Sequence, residues 1–334
     1  MMRTKGPAIT VLMPAHNAAW YVREAVASIL SQTFQDFELL IIDDGSVDST
    51  SAVIESISDS RIRLVRNSKN LGLIATLNKG IELARGRYIA RMDADDISLP
   101  RRFEWQYQLM ERSPQVVACS GWSVDVCPGV WNKYNFREAD HDTLLGRMFV
   151  ESPLSHPASF IRRSTLLESG IRYDTRYAHC EDYRFWFDLS KVGRLSNVQK
   201  MVLRYRVVET SVSQLHGEQQ AATARKLRRE IVDDFFQKRG VSITIPEQIT
   251  SGYLHEFIKL YDTPTPAGVV AREMYLRQLS FLHYSLYMSQ QDYDLPALFR
   301  FLASGDYLRY GIRGKRAAKI VVKHLFPRRF EALL

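Results

Sequence analysis

The chain has 334 residues, 46% of them hydrophobic and 25% charged, the make-up of a soluble globular protein of one large or two modest domains. No apolar run approaches the ~18 residues of a membrane-spanning helix, and Cys119, Cys127 and Cys180 have neither the even count of a disulfide framework nor metal-site spacing, which suits a reducing cytosol. The net charge of +8 is uneven: residues 214–334 hold 18 Lys+Arg against 12 Asp+Glu (+6) and residues 1–213 hold 27 against 25 (+2), so an acidic partner is expected at the C-terminal part.

Strand and helix signals alternate through the first half. Ala8–Pro14 is a β-branched apolar run, Ala18–Ser31 has a helical stripe through Val22, Val26, Ile29 and Leu30, and Glu38–Asp43 is a buried-type strand. Asp48 or Ser46 is placed to cap a helix over Thr50–Ile57. Then follow a strand at Ile62–Arg66, a helix at Leu73–Ala84 ended by Gly86, a strand at Arg87–Met92, a helix at Pro100–Glu111 and a strand at Val116–Ser120. This alternation predicts a mostly parallel sheet covered on both faces. Residues 122–136 are aromatic and turn-rich, "SHPASFIRRS" (155–164) leads from strand to helix, Glu181–Lys191 is a helix and Val198–Val207 a strand. Beyond Ser213 the pattern becomes helical, over Gln219–Arg239, Gly252–Tyr261, Ala267–Met288 and Pro296–Leu302. The predicted domains are therefore 1–213, with halves at about 8–121 and 122–213, and a basic helical extension at 214–334.

Three strands end in polar clusters, "PAHN" (14–17), "DDGS" (43–46) and "DADD" (93–96), where ligands bind in such sheets. On an extended strand Asp93 and Asp95 share a face. Adjacent carboxylates raise each other's cost of ionising, so a cation is expected there, the alternative being a solvated acidic turn. Dinucleotide G-x-G-x-x-G, P-loop and G-x-S-x-G patterns are absent.

The ordered set "PAHNAAWYVREAVASILSQTF", "DDGSVDST", "NLGLIATLNKGIELARGRYIARMDADD", "SHPASFIRRS", "EDYRFWFDLSKVG" and "LRYRVVETSVS" resembles family 2 glycosyltransferases over residues 8–213. The resemblance implies a GT-A, Rossmann-like nucleotide-sugar domain and an inverting enzyme that moves one sugar from a nucleotide-diphosphate donor, UDP-linked by preference, to a glycan or lipid-linked hydroxyl. It implies that Asp95 holds Mg²⁺ or Mn²⁺, with Asp93 supporting the ion or contacting ribose, while Asp96 caps a helix or supports its neighbours. Pro14, Ala15 and Asn17 would line the donor pocket, with His16 where the family often has an aromatic. Asp44 would accept a hydrogen bond from the base, or serve only its turn, with Asp43 beside it. Asn70 and Gly72 belong to the donor pocket or to a plain loop. Asp182 would be the general base and Glu181 would orient it or the acceptor; their alternative is favourable charge at a helix start. His156 and Arg206 are acceptor-side candidates, with a core histidine and a structural ion pair as alternatives. Phe185, Trp186 and Phe187 are expected in the core. The chain lacks the Q-x-x-R-W motif and membrane spans of processive synthases, which favours single-sugar transfer.

Two rivals are a sugar-1-phosphate nucleotidyltransferase, which needs a glycine-rich basic loop where "PAHNAAWY" stands, and a non-catalytic carbohydrate-binding protein, which has no need of both carboxylate sites. The stretch 307–330 carries eight basic and no acidic residues among Ile312, Ile320, Val321, Leu325 and Phe326. That is the composition of a helix drawn to an anionic membrane surface, with plain packing and nucleic acid as alternatives. A cytoplasmic enzyme resting on the inner face of the membrane is the resulting expectation.

Overall fold

The computed structural model describes residues 6–127, 132–207, 217–238 and 249–262, with single positions at 240, 245–246, 275–276, 278–279, 282 and 285–286. The basic stretch 307–330 and the helix expected over Pro296–Leu302 lie outside the described residues.

A nine-stranded mixed sheet organises the first part of the chain. Strands β1 (Ile9–Ala15), β2 (Phe37–Asp43), β3 (Ile62–Arg66) and β4 (Tyr88–Arg91) run parallel in the order β3-β2-β1-β4. β1 is buried at every position and β2 at all but one, because helices cover both faces; hence the unbroken apolar runs in the sequence. The helices of this part are α1 (Val22–Leu30), α2 (Thr50–Glu55), α3 (Leu73–Leu83) and α4 (Arg102–Arg112). Gly86 lets the chain enter β4: a Cβ there would lie 2.3 Å from the backbone nitrogen of Thr10. With four strands parallel, the loops after β1, β2 and β4 open on one side of the sheet.

The remaining strands are β5 (Ile97–Ser98), β6 (Val116–Val126), β7 (Lys133–Asn135), β8 (Phe160–Arg162) and β9 (Arg194–Arg206). They extend the sheet past β4 as β8-β6-β9-β5, with β7 on β6. β8 is antiparallel to β4 and β6, and β6 is parallel to β9. The helices here are α5 (His141–Arg147), α6 (Arg163–Ser169), α7 (Glu181–Ser190), α8 (Gly217–Gln237) and α9 (Ser251–Ile258).

Some boundaries differ from the sequence reading. Helix α1 begins at Val22, not Ala18, because the Ala18 and Ala19 amides donate to Thr50 Oγ1 (2.7 Å) and Asp48 Oδ2 (3.2 Å). β6 runs to Val126 and β9 starts at Arg194, since the two pair over nearly their whole lengths. The strand ahead of "DADD" stops at Arg91, so Asp93 and Asp95 lie in a turn and do not share a strand face.

The chain divides into two compact units, residues 1–141 with 152–224, and 142–151 with 225–334. In the second, α8 buries Leu227, Ile231, Val232, Phe235 and Phe236, with Phe235 edge-on to Phe149 at 5.1 Å. No helix among the described residues is long and apolar enough to cross a membrane.

Candidate active site

The donor-side candidates form a hydrogen-bonded knot of three loops. Pro14 and Ala15 end β1, and the Ala15 carbonyl accepts from the Asp44 amide (2.8 Å). Asp44 is buried; Oδ1 accepts from Asn67 Nδ2 (2.7 Å) and the Leu71 amide (2.9 Å), and Oδ2 from the Gly72 amide (2.9 Å). A carboxylate has about four acceptor sites, and these bonds fill three of them. Asp43 closes its own turn, accepting from the Ser46 amide (3.0 Å) and the Ser51 hydroxyl. Gly45 sits at φ +66°, and a Cβ there would lie 2.4 Å from the Lys69 carbonyl carbon, so only glycine lets the loop after β3 cross this turn.

His16 ties the knot, a role its sequence position did not reveal. Its Nδ1 meets the Asp44 carbonyl (2.9 Å), which only accepts, so Nδ1 carries the hydrogen. Nε2 then accepts from Asn17 Nδ2 (3.2 Å) and Asn70 Nδ2 (3.0 Å). Both amide orientations are set by the other oxygen: Asn17 Oδ1 accepts from the Val47 amide (3.0 Å) and Asn70 Oδ1 from the Gly72 amide (2.8 Å). Asn17, Asn70 and Gly72 are thus brought together as expected of one site.

In the turn after β4, carboxylate oxygens of Asp93, Asp95 and Asp96 lie within 4.8 Å of one another. Asp93 pairs with the buried guanidinium of Arg91 at 2.5 Å. Asp96 is buried and caps no helix; Oδ1 accepts from the Arg206 amide (2.8 Å) and Oδ2 has no partner among the described residues. Arg206 belongs to this turn, donating from Nε to the Asp95 carbonyl (2.9 Å) and pairing with Glu24 (2.7 Å). Burial and then the charge of Asp93 push the Asp95 carboxyl up to about 6, and burial with both neighbours raises Asp96 well above the usual range. Beneath the turn, fully buried Arg102 has carbonyls rather than a carboxylate as oxygen partners on the backbone: Nη2 donates to Arg91 (2.6 Å) and Ser159 (3.2 Å). Burial, then Arg91, lower its guanidinium to about 9. Sequence reading missed Arg91 and Arg102, since nothing local separates a buried arginine from a surface one.

The acceptor-side candidates gather at the start of α7. Asp182 Oδ2 accepts from Ser152 Oγ (3.0 Å), and burial raises its carboxyl. Glu181 is buried, and desolvation followed by the charge of Asp182 pushes it up to about 7. His156 Nε2 meets Tyr173 Oη at 3.0 Å, and burial holds the imidazole well below its ordinary value, hence neutral. Asn78 of α3 fixes Tyr173 through both backbone groups, at 2.9 Å each. Burial raises the Tyr173 phenol, and the charges of Arg91, Asp182, Glu181 and Asp93 all act on it. Phe185 and Trp186 are fully buried and Phe187 nearly so, core residues as expected.

The Glu181 shift makes stability depend on pH. From about 4.5 to about 7 the unfolded carboxyl has lost its proton and the folded one keeps it, so stability falls as pH rises through that window. Glu181→Gln is expected to flatten that fall, raising Tm relative to the parent at pH 8 but not at pH 4. Parallel Tm–pH curves for the two proteins would refute this.

Solved structures with the same architecture include TarS of S. aureus with UDP-GlcNAc (TM-score 0.58, 15% identity, 95% of this chain and 91% of that one). Another is the mannosyltransferase PcManGT of Pyrobaculum calidifontis with GDP-Man and Mn²⁺ (0.51, 18%, 97% and 89%). The fold is that of GT-A glycosyltransferases. The family model "Glycosyl transferase family 2" matches residues 10–169. An uncharacterized glycosyltransferase of Haemophilus influenzae is 28% identical over 89% of this chain and 90% of its own. EpsE of Bacillus subtilis, a candidate glycosyltransferase, is 32% identical over 60% and 73%. The Escherichia coli UDP-Glc:alpha-D-GlcNAc-diphosphoundecaprenol beta-1,3-glucosyltransferase WfgD is 25% identical over 61% and 79%. The chain belongs to glycosyltransferase family 2 and is a glycosyltransferase enzyme.

Proposed function

We propose that the enzyme transfers one sugar, with inversion, from a nucleoside-diphosphate sugar to a hydroxyl of a glycan or lipid-linked acceptor. The observation that carries this reading is the convergence of the Asp93, Asp95 and Asp96 carboxylates within 4.8 Å in the turn after β4, and the buried Glu181–Asp182 pair at the start of α7 agrees with it. The donor residues are Pro14, Ala15, Asn17, Asp43, Asp44, Asn70, Gly72 and Asp93, with His16 holding their loops together. Asp44 offers its remaining acceptor site to an N–H of the base. UDP-GlcNAc in TarS and the lipid diphosphate acceptor named for WfgD support this substrate class.

The acidic turn fits a divalent cation: its oxygens converge, one of them on buried Asp96 lacks a partner, and burial with mutual repulsion raises two of the carboxyls. Asp95, supported by Asp93, would hold Mg²⁺ or Mn²⁺, as the Mn²⁺ complex of PcManGT also suggests. When bound there, the ion supplies positive charge for the leaving diphosphate. Asp182 takes the acceptor proton, the freed oxygen forms a bond to the anomeric carbon from the face opposite the diphosphate, and the sugar–phosphate bond breaks. Ser152 orients the base, and neutral His156 is hydrogen-bonded to the Tyr173 hydroxyl.

A thermal-shift screen of nucleotide sugars with Mn²⁺ tests the reading, since a ligand that binds only the folded state raises Tm. One donor is expected to stand out; a flat response across UDP-, GDP- and TDP-sugars would count against it. We further propose that 214–334 is a separate extension whose basic stretch 307–330 rests on anionic lipid. Truncation after Ser304 is expected to abolish sedimentation with anionic liposomes and to spare donor binding. Undiminished sedimentation would reject the anchor.

A further inference from the structure

The aromatic segment at 122–136 is not used by the donor or carboxylate sites. Its described residues lie on and beside β6 and β7, where Ser123 pairs with Asn135 and Val124 with Tyr134. Tyr134 and Phe136, two residues apart on an extended chain, face the same side. Their rings are parallel (11°, centroids 6.3 Å), and the residues are 57% and 59% exposed. Trp122 backs them, edge-on to Phe136 at 5.0 Å, and its Nε1 donates to the Arg137 carbonyl (3.0 Å). Gln199 Nε2 donates to the same carbonyl (3.0 Å), and on the opposite face Asn135 Nδ2 donates to Asp125 Oδ1 (2.6 Å). The rings are thus held on a fixed framework yet left in water, unlike Phe185 and Trp186.

Hydrogen bonds link this surface to the acceptor-side carboxylates. Arg137 follows Phe136 directly, and its Nη1 donates to the Ser152 carbonyl (2.8 Å). The Ser152 hydroxyl in turn donates to Asp182. One residue therefore separates the aromatic surface from the side chain that holds the base.

We infer that Tyr134 and Phe136, backed by Trp122, form an acceptor subsite that stacks a pyranose ring next to the reacting hydroxyl. The inference rests on the reading of Asp182 as the base. A pyranose presents an apolar face of C–H groups, whose partial positive charge is attracted to the negative faces of aromatic rings. The stripe is only two rings long, with centroids 6.3 Å apart, which suits a ring-sized ligand better than an acyl chain.

The test uses the full chain, with chitobiose and methyl β-D-glucopyranoside as probes, in saturation-transfer NMR. In the wild type, saturation is expected to pass to the sugar C–H protons. The double variant Tyr134→Ala/Phe136→Ala should weaken the contact by about tenfold, the loss of two aromatic contacts. Phe136→Trp should retain it, and the Tm shift given by UDP with Mn²⁺ should be equal in all three proteins. Equal saccharide signals in the wild type and the double variant would overturn the inference, as would no saccharide contact in the wild type. Loss of binding to phosphatidylglycerol vesicles with saccharide contact intact would overturn it in favour of a lipid. Absence of a UDP shift in the wild type would instead strike the donor reading, separately from these arms.

Discussion

Asp182→Asn is expected to lower transfer by about two to four decades while leaving donor binding unchanged, the usual cost of losing a general base. The amide is nearly isosteric and can still accept the 3.0 Å hydrogen bond from Ser152, so the start of α7 keeps its geometry. What it cannot do is take a proton. Glu181→Gln is the control: a neighbour that only orients or repels should cost much less. If Glu181→Gln proved the more damaging, with Asp182→Asn near parental activity, the two roles would have to be exchanged. Burial and then the charge of Asp182 push Glu181 up to about 7, and burial raises Asp182 as well.

Asp95→Ala is expected to abolish the stabilisation that Mn²⁺ and UDP give together, and transfer with it, while the fold persists. Removing Asp95 also removes one of the three repelling carboxylates, so Tm without metal should stay level or rise. Arg206 contacts this residue through its backbone carbonyl, a contact alanine preserves. An unchanged Mn²⁺-dependent Tm shift in the purified variant would show that the metal sits elsewhere.

In the parallel half of the fold β1 and β2 were legible because they are buried on both faces, and the partly buried edge strand β3 through its apolar Ile62, Leu64 and Val65. Ile9–Ala15, Phe37–Asp43 and Ile62–Arg66 fall within a residue of their apolar runs. What escaped depends on partners distant in sequence. β5 is two residues long and exists through its pairing with β9, and the later half of β6 carries Ser123 and Asp125 within a ladder that β9 completes. α5 and β7 also went unread. The start of α1 was misplaced because Asp48 and Thr50, some thirty residues on, claim the Ala18 and Ala19 amides. At the site, motif residues could be read because carboxylates at strand ends are conspicuous. Their environment could not: the three bonds that occupy Asp44, the tautomer of His16 and the two guanidiniums behind the acidic turn come from residues that look ordinary in the chain.

Those two guanidiniums bear on whether the fold needs a cation. Three carboxylates crowded into one turn would ordinarily strain a nascent chain until a cation arrived, making assembly hostage to supply. Here Arg91 grips Asp93 directly, and Arg102 sits fully enclosed below, its charge reaching Asp93 and Asp96. With all five side chains ionised, three negative charges face two positive ones. That leaves one unbalanced charge where three would stand, so the fold is expected not to depend on a cation, and a chelator should leave Tm unchanged.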